Sequence, residues 1–598
     1  MKPSSFLHNS LIVIGGASLD ILHFAGRTER SAGGSGLYTS LAAHRMGRRV
    51  TMIAPRPSPV PPELELADER LDWRGVAFPP EELPTFEIAH LGNGQTKYLN
   101  IWWRAEKYLS LDYVPDDLPE GLVYCIPMID TQHQVEFLRH FKSLGRVIAC
   151  GTHQGAVNQQ LEAVRESLSL VDFFFCNEDE ARGIFGTLDR ARTAAGKTLF
   201  ITRGAQGVRV IQGEYATDVA GVWVDELDPT GAGDTFCGTT LALLAEGAHP
   251  VMAARYGVVA AAEMVTKIGP DALFNAPPVT GQDARVEIDL EQIKNIASFI
   301  RGISEVTAYD FVGEYFPEVG SPQALDYFFT ATLQQFGFWS EQDGRYFEPM
   351  IASINGRKLK GSDYLWATYY RMMNEQADLL SPAGHAALDA ATLETFYRAD
   401  DASNPLSVFD ERLKLAQTYG RDLQTLGLTP AEIIERANAS NKPLQTFLAF
   451  LDYLGGYKED PLRKKSALLA IILQQRPEKF LRESGDELVP PIVDYHIQRS
   501  CLRIGLVKVV DRDLRERLER REVLLPAEEW AIREAVYRAM NELQQVSGCS
   551  MGALDKFFFD NRHRCPEMSE PDCASCPIDA VCAHQKSLFQ PVIRTTFY

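Results

Sequence analysis

One stretch limits what this chain can become: Asp228-Pro229-Thr230-Gly231-Ala232-Gly233-Asp234-Thr235-Phe236. The apolar run 237–244 follows at once and predicts a helix. A turn of small residues opening a helix leaves backbone N–H groups unpaired, so the turn attracts an anion. Glycine lets that backbone come close to its ligand. Asp234 stands beside the anion hole that Gly231, Ala232 and Gly233 would form, where a carboxylate takes a proton from an attacking hydroxyl. A cradle for negative charge and a base for the nucleophile are the requirements of phosphoryl transfer.

The chain has 598 residues, too many for one core, so two or three domains are expected. Its hydrophobic content of 45% is that of a globular protein, and no apolar run reaches the ~20 residues of a membrane span. No signal-type segment opens it, and a cytoplasmic location is expected. A net charge of −20 argues against nonspecific duplex binding, which needs Lys and Arg on phosphates. Six of the ten cysteines (Cys125, Cys150, Cys176, Cys237, Cys501, Cys549) are scattered in apolar context and are expected in cores. The other four crowd into 565–582, which suggests a metal site over a disulfide framework.

The nine-residue string resembles the signature of ribokinase/PfkB sugar and nucleoside kinases, and residues 10–275 follow that pattern. Residues 11–16 predict a buried strand with Asp20 beyond its carboxyl end, where open α/β sheets bind ligands. The resemblance implies that Asp20 holds sugar hydroxyls and that Gly33 and Gly34, in Ala32-Gly33-Gly34-Ser35-Gly36, bring backbone to the sugar. Many sugar-specific members carry Asn where Tyr38 stands, and an aromatic there would suit a nucleoside base. Alternating segments 85–91 and 95–103 around Asn93-Gly94 predict a hairpin, the family's lid. Strands at 123–127, 147–150, 173–176 and 198–202 alternate with helices at 134–144 and 158–169, giving a doubly wound α/β sheet. Residues 55–83 read as an irregular loop. By resemblance, Asn177 and Glu180 order Mg²⁺ and water around the phosphates, and Thr202, Gly204 and Gly207 form the ATP loop. A homodimer through the lid is compatible with the family.

The expected domains are a kinase at 1–274, a Pro/Gly linker at 275–285 and a mostly helical domain at 286–598. Helical periodicity falls at 287–302, 322–336, 364–380, 405–420, 442–454, 462–475 and 528–546. Cys565, Cys573, Cys576 and Cys582 suit a [4Fe–4S] cluster ahead of zinc. Their spacing resembles, with one extra residue in the first gap, the loop of iron–sulfur helix-hairpin-helix DNA glycosylases. The segment 492–499 resembles that superfamily's catalytic stretch, which makes Asp494 the catalytic carboxylate. A diffuse series over 320–560, including 338–340, 355–358, 404–406, 410–412, 463–465 and 505–508, resembles the queuosine 5′-phosphate N-glycosidases of queuosine salvage. Those enzymes share a helical, glycosylase-like fold and release a 7-deazaguanine base from its nucleotide.

Breaking a ribosyl–base bond builds positive charge on the sugar, which a carboxylate beneath C1′ stabilises. Asp494 is the candidate; Phe338 or Trp339 would stack on the base, and Arg412, Lys464, Lys465 and Arg533 would meet a 5′-phosphate. The sequence thus reads as a bifunctional salvage enzyme taking a nucleoside, ATP and Mg²⁺. Its rivals are a DNA glycosylase fused to a sugar kinase, a kinase acting on sugar released by the glycosidase, and a metal-stapled scaffold without turnover.

Overall fold

The computed structural model describes residues 10–24, 26–92, 95–275, 277–279, 282–342, 345–566, 569–588 and 592–598. It divides into two compact units, Met1–Gly281 and Gln282–Tyr598.

The first unit is built on a nine-stranded sheet. From one edge to the other its strands are Tyr215–Val219, Val208–Gln212, Thr198–Thr202, Phe173–Asn177, Ile148–Gly151, Leu122–Cys125, Ser10–Ile14, Arg49–Ile53 and Asp72–Arg74. The seven from Thr198–Thr202 onward run parallel, and the two at the first edge are antiparallel. Apolar residues on both faces account for this, since a parallel sheet with helices on each side has no wet face. The chain leaves Ser10–Ile14 toward one edge and returns to Leu122–Cys125 on its other side, so the order reverses between these two strands. Ligands of doubly wound sheets bind at such a switch point. Gly15 and Gly16 end the first strand there, and the helix Ser35–Arg45 packs so closely that a side chain at Gly36 would strike the carbonyl of Gly15.

A second sheet pairs Arg27–Gly33, Ser18–Phe24, Thr85–Gly92 and Gln95–Trp102 in that order. Both predicted lid strands belong to it, while the Asn93-Gly94 turn lies outside the described residues. Two local readings differ from the structure. Within 55–83 the chain forms the helix Glu65–Arg70 and the edge strand Asp72–Arg74. The helix expected over 158–169 is two, Gln154–Gln159 and Leu161–Leu170, broken at Gln160 where ψ is 36°.

The second unit is mostly helical and holds two large apolar clusters beside a small one of Trp339, Tyr495 and Tyr598. One gathers helices between Ala324 and Gln475, including Ser362–Gln376 and Phe409–Leu426; the other gathers Leu290–Ile300, Tyr495–Ile504, Pro526–Ser547 and Met551–Asp560. The helix Lys464–Gln475 contributes to both. Among the described residues no helix is long and apolar enough to cross a membrane. Five of the six scattered cysteines are buried, and Cys549 is half-buried.

Candidate active sites

In the first unit the signature turn caps the helix Ala232–Ala245. Gly231 is its N-cap with φ 81°, a left-handed value that favours glycine. A side chain there would also meet the Tyr38 ring at 2.6 Å. Tyr38 is 2% exposed and braces the anion loop from behind, so its ring is not offered to a base, contrary to the reading from sequence. Asp228 is fully buried and closes the loop, accepting N–H bonds from Thr230 and Gly269 at 2.9 Å. The helix's first turn, with Gly231, Ala232 and Gly233 at its mouth, holds backbone N–H groups that have no intrahelical acceptor, of which Ala232 N donates to Pro229 O at 3.2 Å.

Asp234 lies in that first turn, half-buried. Burial pushes its carboxyl up to about 6, while a bond from the Ser35 side chain pulls the other way. A base poised near neutral pH is both ionised and willing to take a proton. Asp20, on Ser18–Phe24, is pushed to about 7 by burial and by the charge of Asp228, against bonds from Ser18 and the Phe86 N–H. A side chain at Gly33 would strike Asp20 Oδ2, so this glycine makes room for the carboxylate, and Gly34 follows with φ 99°. Asp20 and Asp234 both act electrostatically on Tyr38 and on Tyr98 of the lid strand Gln95–Trp102. Both carboxylates are therefore near enough to Tyr38 and to the lid tyrosine Tyr98 to be felt by them.

Asn177 and Thr202 are register partners at the carboxyl ends of adjacent strands. Asn177 and Glu180 form a capping box, with Glu180 N donating to Asn177 Oδ1 at 2.9 Å and Asn177 N to Glu180 Oε2 at 2.8 Å. The Asn-x-x-Glu spacing is thus also the spacing that starts a helix. Gly204 and Gly207 take φ 56° and 94°, and Arg203 N donates to Gly207 O to tie the loop. Two residues escaped the sequence reading: Tyr98, and Glu106, which bonds Gly16 N and is pushed to about 7 by burial. Their only signals are an alternating strand position and an acid in an apolar stretch.

In the second unit a cavity of about 380 Å³ opens between the two clusters. Asp494 stands in it as N-cap of Tyr495–Ile504, accepting N–H bonds from His496 at 2.8 Å and Ile497 at 3.0 Å. Phe338 and Lys464 line it as well. Lys464 donates to Gln335 O at 2.9 Å; burial lowers its pKa, and Asp494 and Asp555 oppose that.

The other candidates stand behind the wall. Trp339 is buried and meets Tyr495 edge to face with centroids 6.0 Å apart. Arg412 is fully buried and donates to the carbonyls of Ser407, Gln334, Phe336 and Gly337, beneath Phe338. Lys465 donates to Leu333 O, and burial lowers its pKa against the pull of Glu459. Arg533 makes a bidentate pair with Asp460, at 2.8 and 2.7 Å, and its Nε donates to Val493 O. Asp460 in turn accepts Lys464 N at 2.8 Å. Arg533 therefore ties the start of the Lys464 helix to the residue before Asp494. Arg412 and Arg533 are fully buried and turned to protein carbonyls and to Asp460; Lys360, Lys556 and Arg562 are the cations on the cavity wall that sequence did not single out.

The Cys loop packs against the far end of Asp494's helix. Arg503 donates to Cys565 Sγ at 3.1 Å and to Pro566 O at 3.0 Å, and His584 N donates to Cys582 Sγ at 3.3 Å. Burial, then the charges of the other loop cysteines, raise Cys582. N–H donors and a guanidinium aimed at sulfur suit thiolate ligands. Separately, Cys573, Asp579 and His584 place donor atoms within 4.8 Å of one another.

Residues 12–276 match the family model of the pfkB family carbohydrate kinases, and 315–460 match that of the queuosine salvage protein. The chain carries a PfkB-type nucleoside or sugar kinase domain at its amino-terminal end. Behind it lies a queuosine salvage protein domain. The chain is 28% identical over 270 residues to the cytidine kinase of Thermococcus kodakarensis, an alignment covering 43% of this chain and 97% of that protein. It is 36% identical over 115 residues to the ribokinase of Haemophilus influenzae, covering 17% and 38%. Among solved structures it is similar to adenosine kinase from Sinorhizobium meliloti (20% identity, TM-score 0.39, 44% of this chain and 95% of that one). An E. coli ribokinase II in complex with ATP and Mg²⁺ compares similarly (20% identity, TM-score 0.38, 44% and 96%).

Proposed function

We propose that this chain phosphorylates a modified nucleoside of the queuosine type at its 5′-hydroxyl and then hydrolyses the nucleotide to free base and ribose 5-phosphate. The observation that carries the reading is the pairing, in one chain, of Asp234 at a helix-capping glycine turn with Asp494 in a cavity of the second unit. A nucleoside kinase among the relatives supports the substrate class of the first step.

In the kinase step Asp234 takes the 5′-hydroxyl proton as that oxygen attacks the γ-phosphorus of ATP. The N–H groups of the Gly231–Gly233 turn stabilise the charge gathering on the transferred group. Asp20 orients the ribose. Mg²⁺ would neutralise phosphate charge, and Asn177 and Glu180 are the residues nearest to that task. In the cleavage step the C1′–N bond breaks toward a cationic sugar. Asp494 faces that charge, orients the incoming water and accepts its proton. Phe338 offers a face to the base, and Lys464 an ammonium in the same cavity.

The four loop cysteines would hold a [4Fe–4S] cluster, which stiffens the loop and leaves no open position for substrate. The bonds from Arg503 and His584 fit that donor set. Zinc on Cys573, Asp579 and His584 is a second reading, favoured by the tight spacing of that trio. Anaerobically purified protein should be brown, and Cys576→Ser should bleach it and slow base release while leaving phosphorylation intact. A colourless protein holding one zinc selects the second reading.

The deciding experiment incubates the protein with ATP, Mg²⁺ and a nucleoside panel and separates phosphorylated nucleoside, base and sugar phosphate. Base should appear from nucleoside only with ATP, and from nucleotide without it. Equal release from nucleoside without ATP would reverse the order of the steps.

A further inference from the structure

The cavity that holds Asp494 contains a second carboxylate, Asp555, on the helix Met551–Asp560. The two acids come from helices that pack on each other, and Lys464 acts electrostatically on both. Asp494 takes two backbone N–H bonds at a helix N-terminus, where partial positive charge favours an anion. Asp555 sits in the second turn of its own helix, beyond the free N–H groups of the first. Two carboxyl groups whose surroundings differ in this way can take different roles in one site.

We propose that Asp555 is the acid that hands a proton to the departing base. The assignment rests on the glycosidase reading above and adds the group that step lacks. A purine leaves readily once protonated at N7. A 7-deazapurine has carbon there, so its departure requires a donor at another ring nitrogen or at the carbonyl oxygen. As the C1′–N bond breaks, its electron pair stays with the base and the Asp555 proton neutralises it. Water adds its oxygen to C1′, and its proton passes to Asp494 and through solvent back to Asp555. The products are neutral base and ribose 5-phosphate. Burial first, then the charge of Asp494, push Asp555 up to about 8, with Lys464 opposing, so it carries its proton at neutral pH.

The test compares two substrates in the full-length protein: a 7-deazaguanine nucleoside 5′-phosphate and 4-nitrophenyl ribofuranoside 5-phosphate, whose nitrophenolate departs without a proton. Asp555→Asn should lower turnover of the nucleotide by about 10²–10⁴-fold and leave the nitrophenyl substrate close to the wild-type rate, which also shows that the variant folds. Asp494→Asn should lose both. Asp555→Glu should recover part of the nucleotide rate. Equal loss on both substrates, or no loss on either, overturns the acid role while leaving the glycosidase standing. A wild type that cleaves neither substrate overturns the glycosidase reading and this assignment together.

Discussion

The two sites in this chain are built by opposite means. The kinase site is made of backbone: glycines with left-handed φ, a helix start and strand ends at a switch point, all within short stretches of sequence. The cavity of the second unit is made of side chains brought from far apart, Lys464, Asp494 and Asp555 among them, and held by buried arginines that never reach it. A backbone site announces itself in a motif, because only certain residues tolerate its dihedral angles. A side-chain site does not, because an arginine strut and a phosphate-binding arginine look alike until their partners are known.

The sharpest way to break this comparison is to remove one carboxylate at a time. Asp234→Asn should reduce phosphorylation by about 10²–10⁴-fold and leave cleavage of supplied nucleotide unchanged. Asp494→Asn should do the reverse, so that nucleoside and ATP yield an accumulating 5′-phosphate, read by chromatography. A loss of both activities in either variant would mean the sites are not separate.

Arg533→Ala tests the strut. It strands Asp460 as an uncompensated buried charge, a defect worth about 3–5 kcal/mol, and frees the loop before Asp494. Calorimetry should show the second unit melting earlier while phosphorylation persists at moderate temperature. If Arg533→Ala left stability intact and only raised KM for nucleotide, the arginine would be a phosphate ligand after all.

A smaller effect sharpens the contrast through pH. Asp234 must be ionised to accept a proton, and burial holds it at about 6. The kinase kcat/KM should therefore fall about tenfold per pH unit below that value. Asp555, set among Asp494, Lys464 and Asp560, must keep its proton, so cleavage should fall as pH rises through about 8. Coincident limbs in the two activities would contradict the assignments.

Much of the first unit was legible in sequence. The strands 123–127, 147–150, 173–176 and 198–202 lie within two residues of those observed, because strands buried on both faces are near-continuous apolar runs. The edge strand Asp72–Arg74 was not, being short, polar and paired on one side only. Several helices of the second unit went unseen, among them Pro382–Ala387, too short for periodicity, and Met551–Asp560, whose three consecutive phenylalanines blur it. Asp555 lies in that second helix and so had no frame to stand out against. Asp494 was legible because its flanking string is specific. Arg412 and Arg533 were legible as important residues but not as struts, since their acceptors are carbonyls and an acid up to 78 positions away.

The pairing of Asp460 with Arg533 also sets a schedule for the newborn chain. Everything that shapes the kinase site has been synthesised once the unit ending at Gly281 is made, whereas the cavity waits for residues from Tyr309 to Tyr598. At about 5–20 residues per second, roughly 15–60 s separate the two events. Over that interval a folded kinase rides on an unfinished partner in which the buried Asp460 still waits for Arg533. A chain stalled there could add phosphate to a nucleoside without any means of releasing the base, and truncated transcripts would have the same effect in a cell.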